Sequence, residues 1–158
     1  MTIQIGDTIP DVTVNAVKDG IQAVNTAAFF AGRKTVLFAV PGAFTPTCSA
    51  KHLPGYIEHA KAFADKGYDI ACLSVNDAFV MQAWADSQSC PAEITMLADG
   101  NGVFVKSLGL ELDATGFGMG LRAKRFAMLV DDGKMTRLFV EAPGEFDVSS
   151  AESVLTAL

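Results

Sequence analysis

Among the residues that could carry chemistry, Cys48 has the setting of a reactive thiol. It follows the loop 41–47 (PGAFTPT), which lies between a continuous apolar run at 34–40 (KTVLFAV) and a stretch of helical apolar spacing. The apolar run predicts a buried strand, so the thiol lies where the carboxyl end of a strand meets the start of a helix. Ligands bind at this edge of an open α/β sheet, and a helix start offers unpaired backbone N–H groups and the positive end of its dipole. This setting favours the thiolate, which is the nucleophilic form of cysteine.

A thiolate at neutral pH needs more than a helix end. A free cysteine has a pKa of about 8.5, and lowering that value by two units takes roughly 2.7 kcal/mol of preferential stabilisation of the thiolate. A helix terminus supplies about 0.3–1 kcal/mol and at most about 2 kcal/mol. We therefore expect a cationic side chain beside Cys48.

Length and composition predict one globular domain spanning 1–158. A chain of this size buries about 70% of its unfolded surface, and half of its residues are hydrophobic. Twelve basic against eighteen acidic side chains give a net charge of −6, which argues against nucleic acid as a partner. The sequence shows neither a secretory signal nor a run of roughly 20 apolar residues that would span a membrane, so we expect no membrane attachment and a cytoplasmic location.

Three cysteines, at positions 48, 72 and 90, are an odd number without zinc-type spacing. This count argues against a disulfide framework and against a structural metal site, and it fits reduced thiols in a reducing compartment.

The elements that must position Cys48 follow from the apolar periodicity. Helical spacing predicts one helix over 49–66 bent at Pro54, and a closing helix over 149–158. Buried strands are predicted at 69–75 and 94–98, and the turn signal Asp131-Asp132-Gly133-Lys134 predicts a hairpin. The remaining predictions are short extended segments in the first fourteen residues, short helical pieces at 25–32 and 103–108, and a helix after a cap at Asn76-Asp77.

This order of elements predicts an α/β fold, a single thioredoxin-like domain with a central mixed sheet flanked by helices. Thioredoxins carry CxxC at the junction occupied here by Thr45-Pro46-Thr47-Cys48. Threonine replaces the first cysteine, so dithiol exchange within the motif is impossible. A hydroxyl three residues before a lone thiol suggests that a small polar substrate is positioned there.

The chain resembles the type II peroxiredoxins, the peroxiredoxin-five subfamily. The active-site pattern Pro-x-x-x-Thr/Ser-x-x-Cys is met by Pro41, Thr45 and Cys48. Four sequence blocks, spread over nearly the whole domain, also resemble those of the subfamily: PGAFTPTCSAKHLPGY, LSVNDAFVMQAW, LADGNG and RFAMLVDDGK.

The resemblance implies a thiol peroxidase that reduces hydrogen peroxide and alkyl hydroperoxides in antioxidant defence and cell redox homeostasis, without metal or bound cofactor. Cys48 would become a sulfenic acid. Arg125 would stabilise the thiolate and donate to the peroxide oxygens, although Arg122 and Lys124 lie close to it in sequence. Thr45 would hydrogen-bond the sulfur or the incoming oxygen, and Pro41 would cover the sulfur. The family also implies a homodimer, for which the aromatic residues Phe44, Phe79 and Phe117, on predicted loops or helix starts, would suit an apolar interface.

The way in which the sulfenic acid is reduced depends on whether Cys72 can reach Cys48. Cys72 matches the second cysteine of plant-like type II members. It lies four residues before Asn76 and hence about 13 Å below the end of its strand. A disulfide needs Cα atoms about 4.4–6.8 Å apart, so pairing with Cys48 would require local unfolding. We therefore favour reduction by an external thiol, either glutathione with glutaredoxin or thioredoxin, and interpret Cys90 as an incidental loop thiol.

Two other interpretations remain. His52, four residues after Cys48, would suit a cysteine hydrolase or a metal site, but the orienting group, the oxyanion site and further ligands are not indicated. We expect His52 to pack against or hydrogen-bond the helix start. The second alternative is a redox-sensing protein whose Cys48 reports oxidation to a partner and turns over poorly.

Overall fold

A seven-stranded mixed sheet organises the computed structural model, which describes all 158 residues. The strand order is β2-β1-β5-β4-β3-β8-β9, in which the three central strands β5, β4 and β3 run parallel to one another and the outer neighbours pair antiparallel. The strands are β1 (Thr13–Val17), β2 (Ile21–Asn25), β3 (Lys34–Ala39), β4 (Tyr68–Ser74), β5 (Ile94–Ala98), β8 (Phe126–Asp131) and β9 (Lys134–Val140), and a separate small hairpin contains β6 (Glu111–Asp113) and β7 (Leu121–Ala123).

Helices cover both faces of the sheet, because alternate residues of the buried strands are apolar on each side. In β3, Val36 and Phe38 belong to one cluster of nineteen buried residues, and Leu37 and Ala39 belong to a second cluster of the same size. The helices are α1 (Thr26–Phe30), α2 (Leu53–Glu58), α3 (Ala60–Asp65), α4 (Ala78–Ser87), α5 (Val103–Leu108) and α6 (Ala151–Thr156). The prediction of a thioredoxin-like α/β domain is confirmed. None of the helices has both the length and the apolar character needed to cross a lipid bilayer.

The segment after Cys48 differs from the single helix predicted over 49–66. Residues Cys48–His52 form a π-helical turn, in which the Leu53 N–H bonds to the Cys48 carbonyl five residues back, and α2 follows directly. The main interruption is at His59 (φ −99°, ψ 10°), not at Pro54. Proline lies at the start of α2, where the wide turn before it accommodates its missing N–H.

The N-terminal segment also differs from the prediction. Most of the first fourteen residues form no strand, and the extended residues follow them in β1 and β2. These two strands form an antiparallel hairpin that turns through Asp19 (φ 54°) and Gly20 (φ 114°), and β1 pairs with β5. The Asp-Gly pair was a usable turn signal, but only one flanking segment shows clear alternation of apolar and polar residues.

Candidate active site

The loop before Cys48 is fixed by its own hydrogen bonds and by the neighbouring strand. The Thr45 hydroxyl donates to the Gly42 carbonyl at 2.7 Å, and the Ala43 N–H donates to Asn76 Oδ1 at 3.0 Å. Phe44 has a left-handed backbone conformation (φ 65°), which residues other than glycine rarely adopt. The loop therefore delivers Cys48 to the first position of the π-helical turn in a defined geometry.

Cys48 is completely buried, and its sulfur receives a hydrogen bond from Arg125. The distance from Arg125 Nη2 to Cys48 Sγ is 3.1 Å. The sheet register explains this approach, because Ala39 at the end of β3 pairs with Phe126 at the start of β8, and Arg125 immediately precedes that residue. A guanidinium at this distance is a charged hydrogen-bond donor to the sulfur, so Arg125 is the cationic side chain expected beside Cys48.

The two neighbouring cations lie elsewhere. Arg122 donates from Nε to the Met119 carbonyl at 2.9 Å and from Nη1 to the Val75 carbonyl at 3.1 Å, so it ties the β6–β7 hairpin to the end of β4. Lys124 is exposed at the rim of a groove. Of the three candidates, the structure brings Arg125 to the sulfur.

His52 holds the same arginine from its other side. Its Nδ1 accepts a hydrogen bond from Arg125 Nη1 at 2.7 Å, and its Nε2 lies 3.1 Å from the Ser149 carbonyl, to which it must donate. Burial, assisted by the charge of Arg125, lowers the pKa of His52 to about 3, so the ring is neutral at pH 7. Both ring nitrogens are thus engaged away from Cys48, and the ring cannot serve as the base of a cysteine hydrolase.

This position of His52 departs from the expectation that it would support the helix start. The wide turn is the physical reason, because it directs a residue four positions after Cys48 toward the sheet and Arg125. The ring packs between Phe38, at 5.0 Å between centroids, and Phe146, at 5.1 Å.

Thr45 and Pro41 belong to the loop before Cys48, and their contacts differ in part from the expectation. The Thr45 hydroxyl hydrogen is directed to Gly42 and not to the sulfur, because the tight loop places that carbonyl 2.7 Å away. Its oxygen retains lone pairs that can accept a hydrogen bond. Pro41 is half-buried and lines a groove together with Thr47 and Arg125.

This groove has a volume of about 560 Å³ and runs from the active-site loop along the β6–β7 hairpin and the end of β9. Its walls are largely apolar. The charged side chains that line it are those of Lys124, Arg125, Glu141 and Glu145. The hydrophobic lining residues are Leu112, Ala114, Phe117, Met119, Val140 and Ala142.

The other two cysteines are free thiols outside this site. Cys72 is buried in the middle of β4, opposite Phe38 of β3 and Met96 of β5, and burial raises the pKa of its thiol well above the ordinary value. Burial, assisted by the charge of Glu93, raises the pKa of Cys90 to about 11. Neither thiol has the environment of a nucleophile.

Sequence reasoning missed the residues that surround His52 and Arg125 from the C-terminal segment. Ser149 accepts hydrogen bonds from His52 and from the Tyr56 hydroxyl, the latter at 2.8 Å, and Glu141 binds Ser149 through its carboxylate. The segment 141–150 (EAPGEFDVSS) shows only turn and cap residues, so no local signal indicates these contacts.

Comparison with known proteins agrees with this geometry. The model of the redoxin family matches residues 4–155. Peroxiredoxin-2B of Arabidopsis thaliana is 48% identical over 159 residues, which cover 99% of this chain and 98% of the relative. The chloroplastic peroxiredoxin-2E-2 of Oryza sativa subsp. japonica is 51% identical over 164 residues, which cover 99% of this chain and 73% of the relative. The crystal structure of reduced Prx3 from Vibrio vulnificus in complex with hydrogen peroxide superposes with a TM-score of 0.93 at 53% identity, covering 99% of this chain and 96% of that one. The chain therefore belongs to the redoxin family and, within it, to the peroxiredoxins, which are thiol peroxidases.

Proposed function

We propose that this peroxiredoxin reduces hydrogen peroxide and alkyl hydroperoxides through Cys48. The thiolate sulfur attacks the protonated peroxide oxygen, the O–O bond breaks, and the other oxygen takes the proton of the attacked oxygen and leaves as water or alcohol. The sulfur is thereby oxidised to a sulfenate, which becomes the sulfenic acid by taking up a proton from solvent. The observation that carries the proposal is the 3.1 Å contact between Arg125 Nη2 and Cys48 Sγ.

Arg125 and Thr45 would act together on the peroxide. The guanidinium donates to sulfur before the reaction and to the peroxide oxygens as charge moves onto them. The Thr45 hydroxyl already donates to Gly42, so toward a peroxide it acts as an acceptor for the O–H group. An acceptor on one side and a donor on the other would align the O–O bond with the sulfur.

The roles of Cys48 and Arg125 can be tested by stopped-flow measurement of peroxide consumption. Cys48→Ser should abolish the reaction, and Arg125→Gln should slow it. Rates equal to those of the wild type in either variant would remove that residue from the mechanism.

The groove supports alkyl hydroperoxides as substrates in addition to hydrogen peroxide. Its volume of about 560 Å³ and its apolar walls, including Leu112 and Val140, suit a hydrocarbon group whose peroxide end lies at Arg125. Leu112→Asp should raise the KM for cumene hydroperoxide and leave the rate with hydrogen peroxide unchanged. An equal effect on both substrates would contradict this use of the groove.

An external thiol is the proposed reductant, either glutathione with glutaredoxin or thioredoxin. The support is the position of Cys72, which is buried in the centre of the sheet and has a raised pKa. After one equivalent of peroxide, intact-mass analysis should show one added oxygen. Loss of two hydrogens would indicate an intramolecular disulfide and contradict the proposal. Turnover with each of the two reducing systems in excess would identify the donor and would separate an enzyme from a redox sensor that turns over poorly.

We also propose a homodimer. Three phenylalanine side chains are largely exposed, Phe44 at 55%, Phe79 at 76% and Phe117 at 86%, which is unusual for large aromatic residues on a free surface. Sedimentation should give the mass of two chains, and Phe79→Lys should shift the equilibrium to the monomer. A monomeric wild type at micromolar concentration would refute the dimer.

A further inference from the structure

We propose that Glu141 is a positioning residue of the peroxidase reaction: its carboxylate fixes the loop 142–150 so that Ser149 and His52 hold Arg125 against Cys48. The inference rests on the proposed role of Arg125 toward the sulfur and the peroxide.

The Glu141 carboxylate closes the loop with one oxygen. Its Oε2 accepts hydrogen bonds from the Asp147 N–H at 2.7 Å, from the Ser149 N–H at 2.9 Å and from the Ser149 hydroxyl at 2.7 Å. Burial alone would raise the pKa of Glu141, but the hydrogen bonds from Ser149, Asp147 and Val148 outweigh it and lower the pKa, so the group is ionised at neutral pH. Charge-assisted bonds of this kind are stronger than neutral ones, and they fix the direction of the Ser149 peptide.

The Ser149 peptide is the link from Glu141 to the reactive centre. Its carbonyl accepts from His52 Nε2 at 3.1 Å and from the Tyr56 hydroxyl at 2.8 Å. His52 Nδ1 accepts from Arg125 Nη1 at 2.7 Å, and the other terminal nitrogen of Arg125 reaches Cys48 Sγ. The guanidinium is therefore set between the sulfur and a ring whose orientation depends on the loop.

Two further contacts connect Glu141 to Arg125. The Glu141 N–H donates to the Arg125 carbonyl at 3.0 Å, which joins the two backbones at the ends of β9 and β8. Within the loop, the Phe146 ring lies 5.9 Å from the Arg125 guanidinium and packs edge-on against His52. Movement of the loop would therefore release both His52 and Arg125.

The second carboxylate oxygen takes no part in holding the loop. Glu141 is only 8% exposed, and its Oε1 is buried without a hydrogen-bond partner. An unpartnered buried oxygen is destabilising, and every hydrogen bond to the loop is made by Oε2, so the positioning depends on this acceptor oxygen and not on the second one. The negative charge acts at His52, where it opposes the larger effects of burial and of Arg125 on the pKa.

The test is a double-mutant cycle between Glu141 and Arg125, with the second-order rate constant for hydrogen peroxide as the readout. Glu141→Ala should lower this rate constant by tenfold or more, since misplacement of a reacting group by about 1 Å can cost on the order of 10²-fold. In an Arg125→Gln background the same substitution should have no further effect, because the residue it positions is already gone. A loss that multiplies fully in both backgrounds would show a general structural effect and overturn the proposal.

Two conservative variants keep the test informative if Glu141→Ala unfolds. Glu141→Gln keeps an acceptor oxygen at the correct distance and should recover most of the rate. Glu141→Asp keeps the charge but withdraws the oxygens by one methylene, and it should remain slow. The reverse order would refute positioning. Glu58→Ala, an exposed glutamate on α2 without side-chain partners, is the matched control and should react like the wild type.

The outcomes separate this inference from the proposed function. If Arg125→Gln reacts as fast as the wild type, the role of Arg125 itself fails. If Arg125→Gln is slow and Glu141→Ala is fast, only the inference about Glu141 fails.

Discussion

Acid should destabilise this protein through His52 more than through any surface group. The ring is fully buried and its pKa is lowered to about 3, from an ordinary value of 6.5 in the unfolded chain. Between these two pH values the unfolded state binds a proton that the folded state excludes, so the free energy of unfolding falls as the pH decreases. The contribution of neutral His52 is fully present above pH 6.5 and is lost progressively toward pH 3.

The magnitude follows from the size of the pKa shift. Each pH unit between the two values is worth about 1.4 kcal/mol, so the complete effect amounts to roughly 5 kcal/mol. This is a large part of the stability of a typical domain, about 5–15 kcal/mol. We therefore expect the free energy of unfolding of the wild type to fall by about 4 kcal/mol between pH 6.5 and pH 3.5.

Urea unfolding at several pH values, followed by circular dichroism, measures this slope. Glutamine in the His52→Gln variant does not titrate, so its free energy of unfolding should depend much less on pH in this range, whatever its absolute stability. His59→Gln replaces the only other histidine and should keep the slope of the wild type. Glu141 also destabilises the fold in acid because its pKa is lowered, but it is present in all three proteins. Equal slopes in the wild type and in His52→Gln would refute the reasoning.

Three further predictions concern the thiols, the arginine and one close backbone contact. Arg125→Lys keeps the charge but cannot contact Cys48 and His52 with two nitrogens, so stopped-flow assays should show peroxide reduction slowed by about 10²-fold, as for Arg125→Gln; a rate within twofold of the wild type would contradict the need for the planar group. Cys72→Ala should leave steady-state turnover with an external thiol unchanged, and loss of turnover would restore Cys72 as a resolving cysteine. Gly109→Ala should lower the free energy of unfolding by about 2 kcal/mol or more, because the backbone is left-handed (φ 70°) and the added Cβ would clash with the Met1 carbonyl; unchanged urea unfolding would show that the N-terminus moves aside without cost.

The parts of the fold that the sequence predicts well are those with strong local signals. The apolar runs of β3, β4 and β5 and the Asp-Gly turn between β8 and β9 have no competing interpretation, and the observed elements agree with them within one or two residues. The position of Arg125 also follows from local information once the pairing of β3 with β8 is assumed, because the residue before β8 must then lie near the end of β3.

The parts that the sequence does not predict depend on contacts between distant segments. The hydrogen bonds of His52 join residues 73 and 97 positions away, and neither partner belongs to a recognisable motif with it. The π-helical turn is equally hidden, because its residues are compatible with an ordinary helix and its extra width is set by the surrounding tertiary contacts. The hydroxyl of Thr45 shows the same limit, since its actual acceptor is decided by loop geometry.

The wide turn at Cys48–His52 sets the angle between the sulfur of Cys48 and the imidazole of His52. A π-helical turn contains one residue more than an α-helical turn, and each residue of an α-helix advances the direction of the side chain by about 100°. Deletion of a single residue between Ser49 and Lys51 would convert this turn to an ordinary helix in which the sulfur and the imidazole are three positions apart. Three α-helical steps of about 100° leave nearly the same angle between the sulfur and the imidazole as the four narrower steps of the wide turn. The shortened chain would therefore keep both side chains on one side of the helix, whereas narrowing of the turn without a deletion would separate them.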